Sequence, residues 1–231
     1  ISLIEGLIGE SKMAVEELSE LQWVDFLIFP AIVLAGGKSK RMGEDKSKIE
    51  IDGKPMIVHT IEKLKMAGCN NILIQTKQKR IGLKTILSDF DVMWNYDNSE
   101  DSDVLKAILS AWHFAKNKNW HAVQLIPVDT PFVSQNLIRE LSNLLDENLD
   151  VILPSSNSSK NSKSKGLEPL LACLKVIPTI KKINENINKS DRRLGKILSE
   201  MKCLIVDEKL WTKWGVDEKS FKNINYPKDR E

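Results

Sequence analysis

Short apolar runs alternate along this chain with segments whose apolar residues recur every three or four positions. The runs are Ala31–Ala35, 71–75, 91–95, 121–127, 150–154, 169–174 and 203–206, each of strand length. The helical spacing appears in Ile57, Val58, Ile61 and Leu64, again in Leu105, Ile108, Leu109 and Trp112, and again in Leu137, Ile138, Leu141, Leu144 and Leu145. Residues 83–87, 176–187 and 194–201 read as further helices. Punctuation agrees with the periods. Asp52-Gly53 predicts a tight turn, Pro55 suits a first helical turn, Gly68 a helix stop and Asp103 a helix N-cap. Strands alternating with helices predict an α/β fold, with parallel pairing between the first run and the run at 71–75.

Composition narrows the class. A chain of 231 residues is enough for one α/β domain with an appendage. Its 34 basic and 32 acidic residues leave a formal charge of +2, a mixed surface that predicts no nucleic-acid partner. No run of about 18 apolar residues is present, so no membrane span is expected. The three cysteines, Cys69, Cys173 and Cys203, are widely spaced and form no C-x-x-C, which predicts buried thiols of a cytoplasmic protein. His59, His113 and His121 make no metal-binding pair; the first two fall in helical patterns and suit core or flanking roles. Residues 1–30 stand apart as an N-terminal extension. They lack the basic start and small-residue cleavage site of a signal peptide. Residues 155–165 contain only Ser, Asn and Lys and predict a flexible basic loop between neighbouring strands.

Chemistry concentrates after the first run. Leu34-Ala35-Gly36-Gly37 leads into a basic stretch with Lys38, Lys40 and Arg41, then Gly43 and Lys46. Glycines admit a close ligand approach, and successive backbone N–H groups in such a loop suit phosphate. Neither the P-loop spacing nor G-x-G-x-x-G is met. A second candidate is Asp129, in Val128-Asp129-Thr130-Pro131 at the carboxyl end of an apolar run, where open α/β sheets place ligand chemistry.

The stretch from Leu34 to Lys46 reads L-A-G-G-x-S-x-R-M-G-x-D-K. It resembles the opening motif of the MobA-type molybdenum cofactor guanylyltransferases, in the nucleotidyltransferase superfamily. Val128–Pro131 is similar to that family's D-T-P segment, and Asn223-Ile224-Asn225-Tyr226-Pro227 to its N-x-N-T-P segment, with Tyr226 in the threonine position. The resemblance implies a three-layer, Rossmann-like, mostly parallel sheet of the nucleotide-diphospho-sugar transferase type over residues 31–231. It implies nucleotide contacts from Leu34, Ala35, Gly36, Gly37, Lys46, Asp97 and Asp129. It further implies Mg²⁺ held by Asp129 with Asn225, and catalytic roles for Arg41, Lys46 and Asp129. Acceptor contacts fall to Asn223 and Asn225, with Lys160, Lys163 and Lys165 of the basic loop as a clamp for an anionic acceptor. One segment departs: the family's G-P-L-x-G-I is replaced by Asp103-Val104-Leu105-Lys106-Ala107-Ile108.

The activity so implied is transfer of GMP from GTP to the phosphate of molybdopterin, with release of pyrophosphate. The protein partners it allows are molybdoenzymes or proteins of the cofactor pathway. The replaced glycines keep two alternatives open: CMP or GMP transfer to another phosphate acceptor such as cobinamide or a sugar phosphate, and a catalytically reduced nucleotide-binding scaffold.

Overall fold

The computed structural model describes residues 28–36, 46–77, 82–97, 103–157 and 166–224. Seven strands form one sheet: β1 (Ala31–Leu34), β4 (Ile72–Lys77), β5 (Met93–Asp97), β6 (Ala122–Pro127), β7 (Val151–Pro154), β8 (Cys173–Lys175) and β9 (Cys203–Val206), in the order β5-β4-β1-β6-β8-β7-β9. β8 runs antiparallel to β6 and β7, and the remaining pairings are parallel. A small hairpin, β2 (Glu50–Ile51) and β3 (Lys54–Pro55), lies apart. Its turn residues Asp52 and Gly53 both have positive φ, 50° and 74°, the backbone that Asp-Gly supplies in a two-residue hairpin loop.

The sheet has a helical layer on each face, because its inner strands carry apolar residues on both sides. Helices α1 (Met56–Ala67) and α4 (Gln135–Leu144) cover Ala31, Val33, Ile72, Ile74 and Ile126. Helices α3 (Val104–Asn117), α5 (Val176–Asn186) and α6 (Leu194–Ser199) cover Ile32, Leu73, Val123, Leu125 and Val151. Short α2 (Gly82–Ile86) precedes the edge strand β5, and α7 (Glu208–Trp211) follows β9. Residues 28–30 join this core: Phe29 is buried, and the Pro30 carbonyl accepts from the Gln124 N–H at 2.9 Å.

Most predicted elements are found, with two corrections. The run at 169–174 is not one strand. Pro169–Leu171 forms a 3-10 turn, led by a proline that cannot donate to a ladder, and β8 begins only at Cys173. The third strand is displaced by two residues, to Met93–Asp97, and its Asn95 pairs with Gln75 of β4. The basic loop's flanking strands β7 and β8 are neighbours, as expected. Gly68 ends α1 at φ 102°, and the Asp103 carboxylate caps α3 by accepting from the Leu105 N–H at 3.0 Å. His59 points its Nε2 at the Ile51 carbonyl, 2.8 Å away, a flanking role. Cys69 and Cys173 are buried and Cys203 half-buried. Among the described residues no helix is long and apolar enough to cross a membrane.

Candidate nucleotide site

Parallel pairing brings the carboxyl ends of β4, β1 and β6 side by side, with Leu34 in register with Gln75 on one flank and Pro127 on the other. Everything that follows these strands therefore emerges on one edge of the sheet. Ala35 is fixed there: its N–H donates to the Gln75 carbonyl at 2.9 Å, and its own carbonyl accepts from Thr76 Oγ1 at 3.3 Å. The next residue, Gly36, faces open space, for a Cβ built on it would meet nothing within 4 Å. Leu34, Ala35 and Gly36 thus sit where a nucleotide could lie against the backbone. Gly37 and Arg41 fall outside the described residues.

Lys46 opens a 3-10 turn, Lys46–Lys48. Its Nζ reaches Asp129 Oδ2 at 2.9 Å, with side-chain exposures of 18% and 25%. The pair is screened enough to be stronger than a surface ion pair, yet still open to a ligand. A small apolar cluster of Ile49, Ile51, Met56 and Ile224 anchors both members. The Ile49 N–H donates to the Lys46 carbonyl at 3.1 Å, and the Ile224 N–H donates to the Asp129 carbonyl at 2.9 Å. The second bond carries the 223–224 segment to Asp129 and so brings Asn223 to the site. Asn225, Lys160, Lys163 and Lys165 lie outside the described residues.

Beside this pair, Leu34, Gly36, Gln75, Asp97, Asp103 and Ala107 line a largely apolar cleft between the sheet and the start of α3. Asp97, expected from the resemblance to contact the nucleotide, is one of the lining residues. Gln75 was not anticipated. It is 1% exposed, and its Nε2 has no hydrogen-bond partner among the described residues. A buried amide donor normally has one. The sequence signal was a polar residue closing the apolar run Ile72-Leu73-Ile74. Asp103 also joins the cleft, and it pairs with Arg192 from the α5–α6 connection. Burial pushes the Asp103 carboxyl up. The hydrogen bonds from Arg192 and the Leu105 N–H, with the Arg192 charge, outweigh that and hold it below the usual carboxylate range.

The donor set fits a hard cation only sparingly. Among the described residues no three His, Cys, Asp or Glu side chains gather. A single carboxylate such as Asp129 suits Mg²⁺, which keeps waters and takes the rest of its oxygens from substrate phosphates.

A lysine–carboxylate pair at the carboxyl ends of adjacent central strands, next to an apolar cleft, fits the layout of an α/β nucleotidyltransferase. The chain belongs to the MobA-like NTP transferase domain family, whose sequence pattern matches residues 31–204. It is 32% identical over 209 residues to a protein of Pyrococcus horikoshii named a probable molybdenum cofactor guanylyltransferase, covering 86% of this chain and 95% of the relative. Its fold is similar to that of molybdopterin-guanine dinucleotide biosynthesis protein A from Archaeoglobus fulgidus, with a TM-score of 0.66, 19% identity, and coverage of 87% of this chain and 94% of that one. It is also similar to a 4-diphosphocytidyl-2C-methyl-D-erythritol synthase from Anaerococcus prevotii, with a TM-score of 0.65, 13% identity, and coverage of 89% and 96%. The fold therefore does not choose the base.

Proposed function

We propose that this protein transfers GMP from GTP to the terminal phosphate of molybdopterin and releases pyrophosphate, in the cytoplasm. The observation that carries the reading is the Lys46–Asp129 pair, held at the sheet edge beside the open approach to Gly36. A catalytically reduced scaffold would have no need to keep that pair shielded and doubly anchored.

The acceptor phosphate is ionised at neutral pH, so it needs no general base. One of its oxygens bonds to the α-phosphorus of GTP, the bond from that phosphorus to the bridging oxygen of the β-phosphate breaks, and pyrophosphate leaves with the electron pair. Lys46 offers a positive charge to the phosphates as negative charge moves onto the leaving group. Gly36 lets the backbone approach them. Asp129 would hold Mg²⁺, which supplies charge neutralisation across the phosphates when bound. Asn223 precedes Ile224, whose N–H donates to the Asp129 carbonyl, and on this reading it serves the acceptor. The base enters the cleft, with Gln75 Nε2 as a donor to its edge and Asp97 near the ribose. The remaining contribution is alignment of the two phosphates.

The test is pyrophosphate release from each NTP with Mg²⁺ and molybdopterin, with the product identified by mass. Release with GTP supports the reading. Release with CTP and not GTP reassigns the base, and release with no NTP overturns it.

A further inference from the structure

We propose that Asn95 sets which base the cleft accepts, by fixing the direction in which the Gln75 amide points. This rests on the reading that the cleft takes the nucleobase. Gln75 and Asn95 are directly paired residues of adjacent parallel strands, so their side chains stand on the same face of the sheet. Asn95 Nδ2 donates to Gln75 Oε1 at 2.7 Å and to Ser110 Oγ of α3 at 3.0 Å. A primary amide carries two hydrogens on its nitrogen, and here both are spent. With Asn95 placed in this way, Gln75 meets it through its oxygen, and turning Gln75 over alone would set two N–H₂ groups against each other. Its nitrogen is buried and lacks any partner among the described residues, and the side chain that carries it lines the cleft.

That orientation has a chemical consequence. A fixed N–H₂ group satisfies a base edge that accepts, such as guanine with O6 and N7. It opposes an edge that presents an exocyclic amine, as adenine does at the corresponding position. A glutamine free to turn over would serve either edge equally. The selectivity is therefore built by the residue behind Gln75, which touches neither the base nor the reacting phosphates. Asn95 is a positioning residue for base choice. The sequence gives no hint of this, since Asn95 sits in an edge strand and gains its role from register alone.

Two substitutions reverse the amide by different routes. Asn95→Asp removes the donors, so Gln75 must turn its nitrogen toward the new carboxylate and present its oxygen to the cleft. Gln75→Glu keeps the bond from Asn95 and likewise leaves an oxygen facing the cleft. Asn95→Leu removes the constraint and frees the amide to turn. The experiment is competition of GTP and ATP against a fluorescent GTP analogue on the full chain with Mg²⁺, together with steady-state kinetics. Thermal melts are used to confirm that each variant is folded. The wild-type chain should favour GTP. Asn95→Asp and Gln75→Glu should each lower the GTP-to-ATP affinity ratio by about 10- to 100-fold, the range expected when a buried donor is replaced by a mismatched acceptor. Asn95→Leu should lower it less, with KM for GTP rising and kcat held. A ratio unchanged in folded Asn95→Asp and Asn95→Leu overturns the role of Asn95. Failure of the wild-type chain to bind any nucleotide overturns the cleft reading itself, a separate result.

Discussion

Replacing Lys46 by methionine should have two opposite effects. Lys46 Nζ lies 2.9 Å from Asp129 Oδ2, so without substrate the lysine occupies the carboxylate that is proposed to hold the metal. Two unit charges about 4 Å apart attract by roughly 4 kcal/mol at an effective dielectric of about 20. Desolvation and side-chain ordering take most of that back, and fully exposed pairs retain only about 0.2–1 kcal/mol. With 18% and 25% exposure this pair is partly shielded, and a net ~1–2 kcal/mol is the working figure. Lys46→Met preserves length and removes the charge. Freed of that competitor, Asp129 should bind Mn²⁺, in the absence of nucleotide, about 5- to 30-fold more tightly, which titration followed by electron paramagnetic resonance measures directly. Turnover should fall about 10²- to 10³-fold, since a charge aimed at the phosphates is gone. A variant damaged in folding would lose both metal binding and activity, so the opposite signs are diagnostic. Mn²⁺ binding that is unchanged or weaker in a folded Lys46→Met protein refutes the argument that the two cations share one carboxylate.

Other consequences are simpler to measure. Ile224→Ala removes a fully buried side chain from the cluster behind Lys46 and Asp129. It should cost about 2–5 kcal/mol in urea denaturation, and should also slow turnover of the folded fraction; unaltered turnover would show that the cluster does not position Asp129. Asp103→Asn keeps a capping side chain but loses the charge paired with Arg192. Because the folded carboxyl lies below its unfolded value, its contribution is complete above about pH 4 and fades as pH falls through the lower folded value. The stability gap to wild type should thus be open at pH 7 and closed by strongly acid pH, whereas a gap that widens in acid would contradict the pairing. Gly68→Ala forces an L-residue into φ 102° with its Cβ 3.4 Å from Ile28; about 1 kcal/mol or more should be lost, seen as a melting point lower by ~2–4 °C or more. Burial pushes the Cys69 thiol up to about 12 and Cys173 higher still, while Cys203, half-buried, rises to about 11. Thiol titration of native protein should therefore label Cys203 first and leave the other two unreacted until denaturant is added; prompt labelling of all three would overturn their burial.

The architecture was legible because its signals are local. Runs such as Ala31–Ala35 and 121–127, and helical spacings such as Leu105-Ile108-Leu109-Trp112, depend on neighbours in sequence. The errors came where a proline changed the local geometry, at Pro169, and where a strand boundary was placed by composition alone, at 91–95. Of the candidate site, Leu34, Gly36, Lys46 and Asp129 were named from motifs and Asp97 from the family resemblance. That Lys46 and Asp129 touch across 83 residues of chain was not readable, since it depends on the order β4-β1-β6. Gln75 and Asn95 escaped for the same reason, their significance arising only when two strands align.

The replaced segment at 103–108 looked in sequence like the loss of a binding element. In the fold it is a different solution to the start of one helix. A glycine there would let the backbone approach the base; Asp103 instead spends one carboxylate oxygen on the Leu105 N–H and the other on Arg192. Both oxygens are engaged in holding the helix start and Arg192, so Asp103 fixes the cleft wall. Ala107, in place of the second glycine, adds a methyl to that wall and makes it more apolar. On the proposed reading, polar recognition then falls to the sheet side, where Gln75 has an unpartnered donor and Asp97 lines the cleft. On that same reading, the departure in the helix and the buried amide in the strand are two halves of one arrangement, in which the sheet would read the base and the helix confine it.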